Sequence, residues 1–155
     1  MGGQLVVIAA RRPQRATVLL LLLVASGCGG QTLAPTATEG RRVGAIVTTH
    51  NMMERATGRL PPNEQDFKKF IAENGSQVLE RSGVKAVDEL FVSDRDGQPL
   101  VVTYGKYPAG MNAKIVVYEK NGADGKRFVG YNSGAVEIVD DARFNEMITA
   151  STAPN

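Results

Sequence analysis

The sequence predicts an α+β domain in which N-terminal helices pack on an antiparallel β-meander of four to five strands, followed by a short C-terminal helix. Three observations carry that expectation. Apolar residues first recur at helical spacing, with Val43, Ile46, Val47, His50 and Met53 on one face. After about residue 90 the pattern changes to short β-branched and aromatic runs split by Gly, Asn and Asp turns. Helices and strands do not alternate, which excludes a parallel βαβ sheet and the Rossmann and P-loop sites that depend on it.

The first element lies outside the domain. From Arg11 the chain reads RRPQR, then a largely apolar stretch from Ala16 to Ala25 with five consecutive leucines, then Ser26, Gly27 and Cys28. A basic region, an apolar region and a small-residue cleavage site in that order describe a signal peptide over residues 1–27. As a helix the apolar run would span roughly 15 Å, about half a bilayer core, so it is expected to export the chain rather than anchor it. Arg11-Arg12 followed by Pro13-Gln14-Arg15 fits a twin-Arg signal poorly, so general secretion is expected. The apolar lead before Arg11, GGQLVVIAA, is long for such a segment and points to a start site downstream of Met1.

Residues 28–40 form a flexible tether, because GGQTLAPTATEG after Cys28 has one charge and no apolar period. A coil of that length reaches about 20 Å. The domain proper is expected over 41–150. Its first helix runs from about Arg42 to Thr57 and is stopped by Gly58 and Pro61-Pro62. Asn63 caps a second helix through Glu73, with Phe67, Phe70 and Ile71 as its apolar face. Ser76 caps a short turn, Gln77–Ser82, closed by Gly83. Strands follow at Leu90–Val92, Leu100–Tyr104, Ala113–Lys120, Arg127–Tyr131 and Ala135–Val139. The turns between them, Asp94-Arg95-Asp96-Gly97, Asn121–Gly125 and Ser133-Gly134, are short enough to make neighbours antiparallel. Asp140 or Asp141 caps a last helix carrying Phe144, Met147 and Ile148, which covers one sheet face. Residues 151–155 are a frayed tail.

Composition narrows the function classes. Of 155 residues, 22% are charged and 43% apolar, ordinary for one globular domain. The net charge of +2 includes Arg11, Arg12 and Arg15; without them 15 basic residues face 16 acidic ones. A near-neutral domain lacks the basic footprint that nucleic acid requires. One cysteine excludes an internal disulfide and a thiolate metal cluster, and one histidine leaves little for other metal chemistry, so no cofactor and no metal are expected.

The candidate reactive residues have structural explanations. His50 lies on an apolar helix face with no identifiable carboxylate or second histidine to orient it, which suits a packing residue; Glu54 at i+4 could pair with it weakly. Asp94 and Asp96 begin like a calcium loop, but the third ligand and closing Glu are missing, so they read as a hairpin turn. Asp88-Glu89 and Asp140-Asp141 flank element starts. Ser76, Ser82, Ser93 and Ser133 sit at caps or turns, and no Gly-x-Ser-x-Gly, Cys/His dyad or His-Glu-x-x-His is present. No catalytic residue is assigned. The one route to catalysis is a carboxylate-dependent hydrolase of an envelope polymer, with Asp94, Asp96 and a neighbour converging in a cleft.

Two resemblances add to these readings. Val24-Ala25-Ser26-Gly27-Cys28 resembles the lipobox of bacterial lipoproteins, with Ala25 where that motif usually has Leu. The resemblance implies that Cys28 carries a diacylglyceryl thioether, becomes the mature N-terminus and often bears a third acyl chain, such as palmitate, on its amine. Two or three chains hold firmly, since each buried CH₂ contributes about 0.8 kcal/mol. By similarity to Gram-negative lipoproteins, Gly29 rather than Asp implies sorting to the outer membrane.

Thr49-His50-Asn51 with Gly58-Arg59-Leu60-Pro61-Pro62 resembles the headgroup start of planctomycete-type pseudopilin-like proteins, and Asp96-Gly97-Gln98-Pro99-Leu100 is similar to their Gly-x-Pro-Tyr turn. Met52 stands where those proteins have an aromatic residue, and a lipobox replaces their prepilin motif and long apolar helix. The expectation is therefore an envelope lipoprotein attached to the membrane through Cys28, non-enzymatic, and engaging another envelope protein; a pilus-like secretion accessory is a further alternative.

Overall fold

The computed structural model describes residues 39–107 and 114–152, all within one compact unit, Gln31–Asn155. The signal peptide, Cys28, nearly all of the tether and residues 153–155 lie outside the described residues. The fold is α+β, with an all-antiparallel four-stranded sheet between an N-terminal helical layer and a C-terminal helix.

Helix α1 spans Arg41–Thr57 and buries the predicted stripe Val43, Ile46, Val47, His50 and Met53. Gly58 ends it in the left-handed conformation, φ 71°, its N–H donating to the Glu54 carbonyl at 2.8 Å. Helix α2, Glu64–Asn74, starts as predicted: the Asn63 side chain accepts the Asp66 N–H at 2.8 Å. Helix α3, Ser76–Ser82, ends at Gly83. Its N-cap is Gly75 rather than Ser76, and this glycine also caps the end of α2 through its N–H to the Ile71 carbonyl.

The strand expected at Leu90–Val92 is a correction. Helix α4, Val87–Leu90, ends at Leu90, Phe91 follows in a turn, and only Val92 pairs, in a single bridge to Pro99. Leu90 and Phe91 are both buried in the same core cluster, Phe91 with its ring edge-on to Phe67 at 5.8 Å. Consecutive residues of a strand point to opposite faces and could not both do this.

Strands β1 (Leu100–Val102), β2 (Ile115–Glu119), β3 (Lys126–Tyr131) and β4 (Val136–Asp140) then follow in spatial order β1-β2-β3-β4. The meander is the one predicted, at four strands. An irregularity between Ile115 and Val117 breaks the alternation of β2. Val116 and Val117 therefore join the core with α1, while Ile115 joins the core with α5. On β3, Phe128 belongs to the first cluster and Val129 and Tyr131 to the second.

Gly130 lets α1 approach the sheet. A Cβ there would lie 2.4 Å from Val47 Cγ2 and 2.9 Å from Val117 Cγ1. Helix α5, Asp141–Thr152, is capped by Asp140, whose Oδ1 accepts the Arg143 N–H at 2.8 Å. It continues two residues past the point where the sequence pattern ends the domain. Phe144 lies against Tyr118, ring centroids 5.0 Å apart, and closes the second core. Each large apolar side chain fully buried contributes roughly 1.5–3 kcal/mol, so the two cores, one on each sheet face, stabilise the sheet from both sides.

Candidate functional site

Cys28, the predicted lipid-attachment residue, lies outside the described residues. No helix among the described residues is long and apolar enough to cross a membrane.

The acids proposed for hydrolysis resolve into a structural node. Ser93 to Gln98 form the hairpin turn: Ser93 N–H donates to the Gln98 carbonyl at 2.8 Å and Gly97 N–H to the Ser93 carbonyl at 3.1 Å. Asp94 is exposed on this turn. Asp96 accepts two backbone N–H groups, Gln98 at 3.0 Å on Oδ1 and Gly122 at 3.1 Å on Oδ2, which ties one turn to the next. The two side chains thus do not converge as an acid pair.

The carboxylate beneath them is Glu119 of β2, which is fully buried. It accepts Ser93 Oγ–H at 2.6 Å, Arg95 Nη1–H at 3.1 Å and Phe128 N–H at 2.8 Å. The Arg95 guanidinium also donates to the Ala123 carbonyl at 2.8 Å and lies over the Phe128 ring, 5.0 Å from its centroid. A buried charge needs such pairing and hydrogen bonding to persist. The arrangement locks two turns and two strands together and gives the carboxylate no path to a substrate.

His50 is buried completely, more deeply than a partly buried packing histidine. Its Nε2 lies 3.2 Å from the Thr103 carbonyl, and because a carbonyl only accepts, Nε2 carries the hydrogen. Phe67 meets the ring edge-on at 5.8 Å and Tyr107 lies at 6.2 Å. Burial holds the imidazole below its ordinary pKa, against smaller opposing effects of the Thr103 bond and Glu54. Nδ1 and the Tyr107 hydroxyl are buried without a hydrogen-bond partner. Burial pushes the Tyr107 phenol up to about 12, so it stays protonated. This neutral His–Tyr cluster packs α1 against the segment after β1.

Among the described residues, clefts open on the surface at two places that bear on function. One, about 180 Å³, runs between α1 and α3, lined by Arg41, Arg81, Thr48 and Ser82. Its hydroxyls are used locally, Thr48 donating to the Gly44 carbonyl and Ser82 to that of Val78, each at 2.8 Å. The other, about 280 Å³, lies between the β3–β4 hairpin and α5 and is lined by Tyr131, Glu137, Arg143 and Met147.

Reading the sequence missed Glu119, Arg95 and the Glu137–Arg143 cleft. A charged residue in a buried phase of strand alternation is the signal for Glu119, since Val117 and Glu119 share a face. The cleft has no linear signal, because its charges lie on different elements. Among the described residues no group of three or more His, Cys, Asp or Glu side chains is arranged to hold a metal ion. No family model, curated protein or solved structure matches this chain.

Proposed function

We propose that the chain is an envelope lipoprotein, attached to the outer membrane through lipid on Cys28, whose domain is a non-enzymatic module that binds another envelope component. The attachment rests on the sequence: a basic, then apolar, segment ends in Ser26-Gly27-Cys28. The observation that favours binding over catalysis is the Glu119 node. The most deeply buried carboxylate is filled by Ser93, Arg95 and Phe128, and Asp96 is filled by two backbone N–H groups. General acid-base work needs a carboxyl within reach of a substrate proton, and these acids hold the fold instead.

Metabolic labelling with a fatty-acid analogue, followed by membrane fractionation, tests the attachment. Wild-type protein incorporates label and fractionates with membranes, whereas Cys28→Ser accumulates as an unlabelled precursor. A mature, membrane-bound Cys28→Ser protein would refute the lipid anchor. The binding role is tested by in-cell crosslinking from exposed domain positions; absence of any reproducible adduct would count against it.

A further inference from the structure

The cleft between the β3–β4 hairpin and α5 presents two opposite charges that do not pair with each other. Glu137 and Arg143 line the same cavity of about 280 Å³. The ion pairs among the described residues are Lys68 with Glu64 and Asp88, Arg95 with Glu119, and Arg127 with Asp141. Glu137 and Arg143 line the same opening without forming an ion pair. The Tyr131 hydroxyl donates to Glu137 Oε2 at 3.3 Å and sits 4.0 Å from Met147 Sδ. Burial, reinforced by Glu137 and opposed by the weaker effect of Arg143, pushes that phenol up to about 12, so it remains a donor that orients the carboxylate. Met147, one helical turn after Arg143, and Ala135 supply the apolar part of the lining.

We propose that this cleft binds a small zwitterion, a free α-amino acid or the free-ended dipeptide built from it. The ligand ammonium pairs with Glu137 and its carboxylate with the Arg143 guanidinium, the side chain resting on Met147. Three features select this class. A guanidinium matches a carboxylate in a two-pronged hydrogen-bonding geometry. A single anion or cation would satisfy one wall and leave the other unpaired. The volume of about 280 Å³ falls just below the roughly 300–1,000 Å³ typical of drug-sized ligand sites, which suits a smaller ligand. The proposal deepens the binding-module reading and rests on it for its meaning. It requires only the folded domain, so it can fail while the lipid anchor stands, and the reverse.

Met147 provides a local probe. The full-length protein, labelled with ¹³C at methionine methyls and held in detergent micelles, is titrated with alanine and with alanyl-alanine at millimolar concentration. The Met147 methyl signal is expected to move saturably while that of buried Met53 stays fixed. N-acetyl-alanyl-alanine and alanyl-alaninamide, each missing one charge, are expected to bind at least about tenfold more weakly. Glu137→Gln and Arg143→Gln should each weaken the doubly charged ligand by a similar factor, with an unchanged Met53 signal reporting an intact core. Preference for alanine identifies a free amino acid as the ligand, and preference for alanyl-alanine a peptide; either supports the zwitterion site. An unmoved Met147 signal, or capped ligands and variants that bind as well as the free-ended ligand and wild type, would overturn it.

Discussion

Glu119 concentrates more of the fold in one side chain than any apolar residue does. Its three donors come from the 93–98 turn and from β3, and its ion-pair partner Arg95 reaches on to Ala123. Removing one member of a buried, hydrogen-bonded pair strands the other, at about 3–5 kcal/mol. Glu119→Ala is expected to lose that much in denaturant unfolding, and Glu119→Gln less, since its amide oxygen still accepts one or two of the donors. His50 makes a pH-dependent contribution of the opposite kind. Burial lowers its pKa in the folded state, so the folded protein binds the proton less readily than the unfolded chain, where the value is 6.5. Stability is therefore full above about pH 6.5 and declines as pH falls through that value toward the folded-state pKa. Unfolding midpoints measured from pH 8 to pH 5 should show this slope, and His50→Phe should flatten it; an equal slope in the variant would place the titration elsewhere.

At the level of elements, contact between α1 and the sheet depends on the absence of a side chain at Gly130. Val47 Cγ2 occupies the space where a Cβ would sit, at 2.4 Å, with Val43 Cγ1 at 3.1 Å. Gly130→Ala must push α1 away from β3, and overpacking of this kind costs about 1–3 kcal/mol. Thermal unfolding of the variant measures it. Asn63 is the milder case. Its side chain caps α2 at the exposed end, and Asn63→Ala should lose about 1 kcal/mol without disturbing the sheet, as circular dichroism of the folded state would confirm. The pattern of α1 and of strands β2 to β4 was legible because period and turn residues agreed, apart from the irregularity at Ile115–Val117. The segment Leu90–Val92 was not, because its β-rich composition was overridden by the need to bury Leu90 and Phe91 together beside Phe67.

At the scale of the whole molecule, the sheet is covered on both faces, by α1 on one side and by α5 on the other. The start of α5 is also fastened electrostatically, since the Arg127 guanidinium on β3 pairs with Asp141 and lies over the Phe144 ring, 4.2 Å from its centroid. Arg127→Ala is expected to loosen α5 more than the rest of the domain. Hydrogen exchange should then rise in α5 ahead of α1; uniform acceleration would mean that the helix and sheet open as one unit. This bears on ligand binding as well, because α5 carries Arg143 and Met147 of the proposed cleft.

Sequence by itself determined the order and kind of the elements apart from α4, the stops at Gly58 and Gly83, the Asn63 cap, the hairpin turn at Asp94–Gly97 and the nearly neutral charge of the domain. Each is written within a few consecutive residues, where local backbone preference and hydrophobic period act. The proposed export segment and Cys28 rest on the same kind of linear signal. Tertiary structure alone decided which charges matter. Glu119 became a buried anchor because the fold brings Ser93, Arg95 and Phe128 to it, and Glu137 and Arg143 became a cleft because a hairpin and a helix meet. Burial and pairing are properties of three-dimensional neighbours, and spacing along the chain does not contain them.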